Sequence, residues 1–470
     1  MTENSPEIRV ERDSLGEVEV ESSCYWGAQT QRSLTYFSIG GEQYKWQRPF
    51  IRALGLLKQA AAQANIDIGM LDKAIGEAII HAAEEVIDGK LDAHFPLGVF
   101  QTGSGTHSNM NANEVIANRA IEMLGGTIGS KTPVHPNDHV NLCQSSNDVF
   151  PSAIHVAVLE LFQKRLLPQL GNLINTLDEK VQAYKHIVKT GRTHLQDAAP
   201  LTLGQEISAW VEQLKFGKQC LQEKQLSLYA LAIGGTAVGT GLNSHADFGE
   251  KVAEHLEKNC GIPFSSAPNK FFALSAHDPL VEFSASLRTL SGALLKIAND
   301  IRWLASGPRC GIGELNLPQN EPGSSIMPGK VNPTQCEALS MVCVQVFGND
   351  AAVAFAGSQG NFQLNAYKPV ILHNTMQSLV LLADACHSFE RWCVAGLEPN
   401  REKIDYYLER NLMLVTALNK HIGYDKAAEI AKLAEKNNIT LKQAALELHY
   451  ATAEEFDKWV VAIEMVGNAL

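Results

Sequence analysis

Residues 323–337, GSSIMPGKVNPTQCE, gather two adjacent hydroxyls (Ser324, Ser325), two glycines, a lysine (Lys330) and an amide (Asn332) in one loop that runs into a helix. That mixture suits the binding of an anion. Asn332 fits an N-cap, Pro333 the first helical position, and Gln335 stands where it can reach back to the cap's free amide. Gly323 and Gly329 let the backbone approach a ligand, and Lys330 adds a full positive charge near the positive end of the helix. A phosphate loop would need four residues between its glycines and Ser or Thr after the lysine. Here five residues separate Gly323 from Gly329, and Val331 follows Lys330. An ordinary turn between helices has no use for Ser324, Ser325, Lys330, Asn332 and Glu337 together.

Three further tracts concentrate polar residues that form helices poorly. In residues 102–114, TGSGTHSNMNANE, the opening can present the amides and hydroxyls of Ser104, Gly105 and Thr106 to a carboxylate, while the Asn-rich remainder enters a helix. For Ser108 to Asn113 the competing reading is a capped loop whose side chains bond their own backbone. In residues 134–148, VHPNDHVNLCQSSND, His135 and His139 stand four apart near Asp138. Pro136 breaks the helical geometry that a metal pair needs and no third ligand is evident, so polar recognition is favoured over a metal. Ser145, Ser146 and Asn147 then supply neutral donors. In residues 189–197, KTGRTHLQD, His194 follows Arg192 and Thr193 in a Gly-containing turn and is the best acid–base histidine in the chain. The glycine-rich residues 234–241, GGTAVGTG, follow a helical rather than a strand pattern and lack the downstream acid of a dinucleotide loop.

The elements that must position these tracts are mostly helical. Residues 8 to 20 alternate apolar and charged side chains around a Ser-Leu-Gly turn and predict a small β-hairpin. Leu159, Phe162, Leu166, Leu170, Leu173, Leu177 and Val181 recur at steps of three and four, which predicts one long helix despite Pro168. Leu280, Phe283, Leu287, Leu290, Leu294, Ile297, Ile301 and Leu304 repeat more strictly, as in a helix packed in a bundle at shallow angles. Less regular stretches cover roughly 206–232, 334–356 and 368–394. The expectation is therefore a mainly α chain in three domains: a mixed, mostly helical domain over 1–144, a central bundle of five long helices over 145–398, and a small helical domain over 399–470. Apolar stripes too broad for one chain to cover point to self-association.

Composition narrows the function classes. The chain has 470 residues, 45% of them hydrophobic, and its 39 basic and 51 acidic side chains give a net charge of -12. It has no basic run, so nucleic acid is not an expected partner. At long range that charge works against an anionic ligand, which must be held by locally concentrated donors. Residues 1–10 lack the pattern of a secretory signal or transit peptide, and no stretch approaches about 18 uncharged apolar residues. The nine cysteines show no paired spacing, which fits reduced thiols in a cytoplasmic protein. No nucleophile elbow or cofactor motif survives. A cofactor-free site with a serine-rich loop, a lysine, a histidine and many neutral donors suits stabilising an enolate-like intermediate formed beside a carboxylate.

Taken together, residues 323–333 resemble the signature of the fumarase/aspartase superfamily. Ser104-Gly-Thr-His-Ser-Asn-Met-Asn, His135-Pro-Asn-Asp, Ser145-Ser-Asn-Asp and Gly191-Arg-Thr-His resemble its other blocks in order. Gly329 before Lys330, where aspartases have Ala, and the Pro333-Thr-Gln-Cys-Glu337 continuation resemble class II fumarases. The resemblance implies reversible hydration of fumarate to (S)-malate (EC 4.2.1.2) in the tricarboxylic acid cycle, with no cofactor, metal or iron–sulfur cluster. It implies Ser324 as the base, with Lys330 and Asn332 on the substrate carboxylate. It implies His194 for the proton of the leaving water, with Glu337 holding its charged form. Ser104, Gly105, Thr106, Ser145, Ser146, Asn147, Thr193, Ser325 and Val331 would complete the pocket. It further implies a homotetramer with a twenty-helix core and sites shared among three subunits, and a second dicarboxylate site at His135, Pro136, Asn137 and Asp138. An aspartate ammonia-lyase or another lyase of the superfamily, and a catalytically silent structural relative, are the alternatives.

Overall fold

The computed structural model describes residues 7–467; residues 1–6, the head of the segment inspected for targeting signals, and 468–470 lie outside the described residues. The expected hairpin is present. Strand β1 (Ile8–Asp13) pairs antiparallel with β2 (Gly16–Glu21), with Asp13 opposite Gly16. Asp13 accepts from the amide of Leu15 in the turn and from Arg32 of helix α1 (Ala28–Tyr36). The Arg32 guanidinium holds the Asp13 carboxyl below the usual carboxylate range. Helices α2 (Arg48–Asp67), α3 (Lys73–Ile87) and α4 (Thr106–Met123) follow. Asp72 caps α3 by accepting from the amides of Ala74 and Ile75.

The long helices appear where periodicity predicts them. Helices α5 (Ser146–Leu161) and α6 (Leu167–Tyr184) are joined by a π-helical turn, Phe162–Leu166, which ends just before Pro168. A wider turn frees the carbonyl that the proline ring would otherwise strike, so the chain stays helical through it. Strands β3 (Val188–Thr193) and β4 (Gln196–Thr202) form a second hairpin before α7 (Leu203–Lys224). Helices α8 (Phe248–Cys260) and α9 (Lys270–Ser275) lead to α10 (Asp278–Leu304). Then come α11 (Thr334–Gly357) and α12 (Lys368–Phe389), the latter continued by a π turn over Glu390–Val394. All eight stripe residues of α10 are buried, Leu304 the least at 6% exposure. Each such side chain contributes at most about 1.5–3 kcal/mol. Five short helices end the chain: α13 (Arg401–Arg410), α14 (Asn419–Ile422), α15 (Tyr424–Asn437), α16 (Leu441–Glu447) and α17 (Ala453–Trp459).

Helix α11 departs from the sequence reading. It is long and apolar enough, by length and composition, to cross a membrane, although it carries Glu337 and Asp350. Only a third of its most apolar window is buried, and Met341, Val344, Phe347 and Phe355 are exposed. Asp350 is buried, accepting from Ser284 and Arg288. The pattern is that of a core helix with a second apolar face left uncovered in the single chain.

The chain resolves into two compact units, each discontinuous: residues 1–167, 219–288 and 345–381 form the first, and 168–218, 289–344 and 382–470 the second. This division cuts through the long helices, whereas the expected domains run consecutively along the chain.

Candidate active site

In the first unit, the residues 102–114 tract folds as a tight turn into α4. Gly105 has φ +80°, and a Cβ there would lie 2.1 Å from the Phe150 ring, so no other residue fits this corner. The turn sets the hydroxyls of Ser104 and Thr106 2.8 Å apart at the helix N-terminus, both partly exposed. Ser145 caps α5, its Oγ accepting from the Asn147 amide while Asp148 accepts from the Ser145 amide. Ser146 Oγ lies 3.1 Å from the Asn109 amide nitrogen. Asn147 gives one amide hydrogen to the Ala237 carbonyl, in the glycine-rich residues 234–241. That loop wraps Asp148, whose second oxygen accepts from the amides of Gly234 and Thr236. Burial pushes the Asp148 carboxyl up to about 6.

Three lysines surround this carboxylate. Lys58 is held down to about 7, Lys368 to about 7 and Lys270 to about 8, each by burial and each opposed by the charge of Asp148. Two helix N-termini that carry hydroxyls, with buried lysines in the same unit, suit the binding of an anion.

In the second unit, His194 and Leu195 are the two central residues of the β3–β4 turn, with Thr193 paired to Gln196. Both have positive φ, 55° and 61°, as a two-residue type I′ turn demands. Neither residue type adopts that conformation readily, so surrounding contacts must impose it. One is a buried ion cluster: Arg192 grips Glu314 with two hydrogen bonds of 3.0 and 2.9 Å, and Lys189 lies 3.1 Å from both Glu314 and Glu206. Lys189 and Glu314 are wholly buried, while Thr193 and His194 are exposed at the tip.

The Ser324 loop is closed by backbone contacts. Gly323 donates to the Lys330 carbonyl, and a Cβ at Gly323 would lie 2.1 Å from that oxygen. Ser324 Oγ accepts from the backbone amides of Ile326 at 3.3 Å and Met327 at 3.1 Å. Ser324, Gly329, Lys330 and Val331 line one cavity; Lys330, Val331, Asn332 and Glu337 line a second, of about 750 Å³. Ser325 and Lys330 are exposed. The expected cap is not formed. Asn332 donates across the loop to the Gly323 carbonyl, α11 starts from the Pro333 carbonyl, and Gln335 accepts from Ser388. Closing the loop takes the side chain that sequence pattern assigned to the helix.

His135 caps a π-helical turn over Pro136–Val140, its Nδ1 accepting from the amides of Asn137 and Asp138, and burial lowers its pKa. Pro136 and Asn137 border a small cavity also lined by Arg12 and Lys131, and by the acids Glu11, Asp13 and Glu114.

The structure thus groups Ser104, Gly105 and Thr106 at one helix start and Ser145, Ser146 and Asn147 at another, within the first unit. It groups Ser324, Ser325, Lys330, Val331, Asn332 and Glu337 within the second, which also holds Thr193 and His194. Among the described residues no hydrogen bond or ion pair joins His194 to Glu337 within the chain. Sequence reasoning missed Glu314, Asn109, Asn141 and the lysines around Asp148. A lysine inside an apolar helix, as Lys58 is in α2, was the available signal for the last group. Among the described residues no group of three or more His, Cys, Asp or Glu side chains is arranged to hold a metal ion.

Comparison with known proteins shows the family to which the chain belongs. A lyase family model matches residues 16–348, and a model of the fumarase C C-terminus matches residues 414–467. A class II fumarate hydratase of Thermosynechococcus vestitus is 61% identical over 462 residues, covering 98% of each chain. A mitochondrial fumarate hydratase of Rhizopus oryzae is 58% identical, covering 98% of this chain and 93% of its own. The crystal structure of the class II fumarase of Schistosoma mansoni superposes with a TM-score of 0.96 at 43% identity, covering 98% of this chain and 99% of that one.

Proposed function

The chain belongs to the class II fumarate hydratase family, and on that premise we propose how its two groups of residues carry out the reversible hydration of fumarate to (S)-malate. The observation that carries the reading is Ser324 Oγ under two backbone N–H groups, in a loop whose cavity Lys330 shares. A serine hydroxyl is a poor base in water. Two amide donors and a nearby ammonium stabilise its alkoxide, which brings proton abstraction within reach.

In the dehydration direction, Ser324 removes the C3 proton of malate. The freed electron pair passes onto the adjacent carboxylate, which Lys330 and Asn332 hold. The pair then returns to form the C2–C3 double bond as the C2–O bond breaks, and His194, directly or through one water, gives the departing hydroxide its proton. Glu337 balances the imidazolium. Ser104, Thr106, Ser145, Ser146, Asn147 and Thr193 hold the dicarboxylate through hydroxyl and amide donors, and Gly105, Ser325 and Val331 shape the loops. None of these steps calls on a metal or cofactor.

Assembly as a homotetramer with shared sites belongs to this reading. The uncovered apolar face of α11 supports it, because that helix has more apolar surface than one chain buries. The second dicarboxylate site at His135, Pro136, Asn137 and Asp138 is also proposed, with Arg12 and Lys131 as its cations. A cytoplasmic location and a place in the tricarboxylic acid cycle complete the proposal; nine free thiols support a reducing compartment. The test is to follow fumarate absorbance from malate and, separately, from aspartate. Fumarate is expected from malate alone, and release from aspartate without release from malate overturns the reading.

A further inference from the structure

Ser146 is assigned above to the substrate, and its hydroxyl has a single proton to give. Whether that proton faces a ligand depends on what the rest of the side chain's hydrogen bonding requires. The surroundings settle the matter through a chain of contacts that begins on a different helix. Lys58 of α2 is fully buried, and its ammonium lies 3.1 Å from Asn141 Oδ1 and 2.8 Å from Gln144 Oε1. Asn141 Oδ1 also lies 3.1 Å from the amide nitrogens of Asn109 and Asn113 in α4. Asn109 Nδ2 then reaches Ser146 Oγ, again at 3.1 Å.

Each link has a direction. An ammonium has hydrogens and no lone pair, so Asn141 must turn its oxygen toward Lys58. With that oxygen at the junction, Asn109 can meet it only through its NH2 group. The second hydrogen of the same NH2 points at Ser146, so Ser146 Oγ must accept. Its own proton is then left for a ligand, and the hydroxyl presents itself as a donor. Asn141 Nδ2 also donates to the Gln144 carbonyl at 3.1 Å, so without the ammonium that bond alone opposes a turnover of both amides. Asn109 would then show its oxygen to Ser146, whose proton would be drawn inward and whose lone pairs would face an incoming carboxylate.

We propose that Lys58 is a positioning residue for substrate recognition: through Asn141 and Asn109 it fixes Ser146 as a hydrogen-bond donor and so makes this part of the pocket selective for a carboxylate. The inference rests on the reading of Ser146 as a substrate contact. It also accounts for a fully buried ammonium, an arrangement that costs stability and is retained where it organises polar groups. It explains why the Asn-rich start of α4 bonds other side chains rather than its own backbone, since Asn109 and Asn113 converge on one acceptor.

The test is steady-state kinetics on the full-length protein with malate and fumarate, using Lys58→Met, Ser146→Ala and the double variant. Lys58→Met is expected to raise KM roughly tenfold or more, the effect of losing one hydrogen bond to a charged group, with kcat changed less than about threefold. In the Ser146→Ala background, Lys58→Met is expected to have no further effect, because the group it orients is gone. Independent, multiplying effects of the two substitutions overturn the proposal, as does an unchanged KM in Lys58→Met when Ser146→Ala raises it. If Ser146→Ala itself leaves KM unchanged, the assignment of Ser146 to the substrate fails first. Should Lys58→Met not fold, Asn109→Ala breaks the same chain one link later and carries the same expectations.

Discussion

The hydroxyls at the starts of α4 and α5 and the hydroxyl of Ser324 are assigned to one reaction, yet they stand in opposite surroundings. Behind Ser146 lie Asn109 and Lys58, both buried and linked through Asn141 by side-chain hydrogen bonds, and the buried Asp148 is held by backbone amides. Around Ser324 the loop is held by backbone contacts and by the Ser324 and Asn332 side chains bonding its own backbone, and Ser325, Ile326, Met327 and Lys330 are exposed. His194 is likewise exposed at a hairpin tip, though its stem rests on the buried Glu314. On the proposed roles, recognition is built into the interior before any ligand arrives, while the groups that move protons sit where another surface can cover them. The contrast is physical: donors that hold a dianion gain from being fixed and partly desolvated, whereas a base and an acid must be reached by the substrate.

The sharpest way to break this contrast is to remove the base. Ser324→Ala is expected to lower kcat for malate dehydration about a thousandfold with little change in KM, read by fumarate absorbance. A wild-type rate would mean that the exposed loop is not the chemical half. If that half is completed by other copies of the chain, Ser324→Ala and His194→Asn proteins, each inactive, should recover about a quarter of wild-type activity when unfolded and refolded together, since random assembly restores that share of sites. No recovery on mixing argues that one chain holds the whole site.

The stem of the His194 hairpin joins the two kinds of surroundings. Glu314→Gln leaves Lys189 and Arg192 without their shared carboxylate and is expected to cost roughly 3–5 kcal/mol of stability, measured by denaturant unfolding. Ser104→Ala should act on recognition alone, raising KM about tenfold with kcat nearly intact. The smallest effect concerns the buried ammonium. Lys58 has a folded pKa of about 7, below its unfolded value of 10.5, and the charge it faces is Asp148. Its folded pKa is depressed, so the wild type loses stability as pH falls from the unfolded value through about 7. Lys58→Met should therefore gain melting temperature relative to wild type on going from about pH 9.5 to about pH 6.5. A difference independent of pH would place the charge elsewhere.

Much of this was legible in the residues. The stripes on α6 and α10 were readable because helical packing repeats every three to four positions, and all of their named residues are buried. The site tracts were readable because polar, glycine-punctuated segments between apolar helices have few structural uses. The capping of α11 was misread because Asn332 had two partners open to it, and sequence spacing sees only the local one. Glu314 was invisible because it lies 122 positions from Arg192, and no periodicity links such a pair.

What the amino-acid order determined by itself was the helical class, the position of the long helices and the family, all of which rest on local pattern and short motifs. What only the tertiary structure decided was the direction of hydrogen bonds. That Ser146 accepts from Asn109, that Asn332 closes its loop and that His194 is held in a left-handed turn depend on partners brought together by folding. Local sequence sets which groups can bond, but a donor finds its acceptor only when distant segments share one interior.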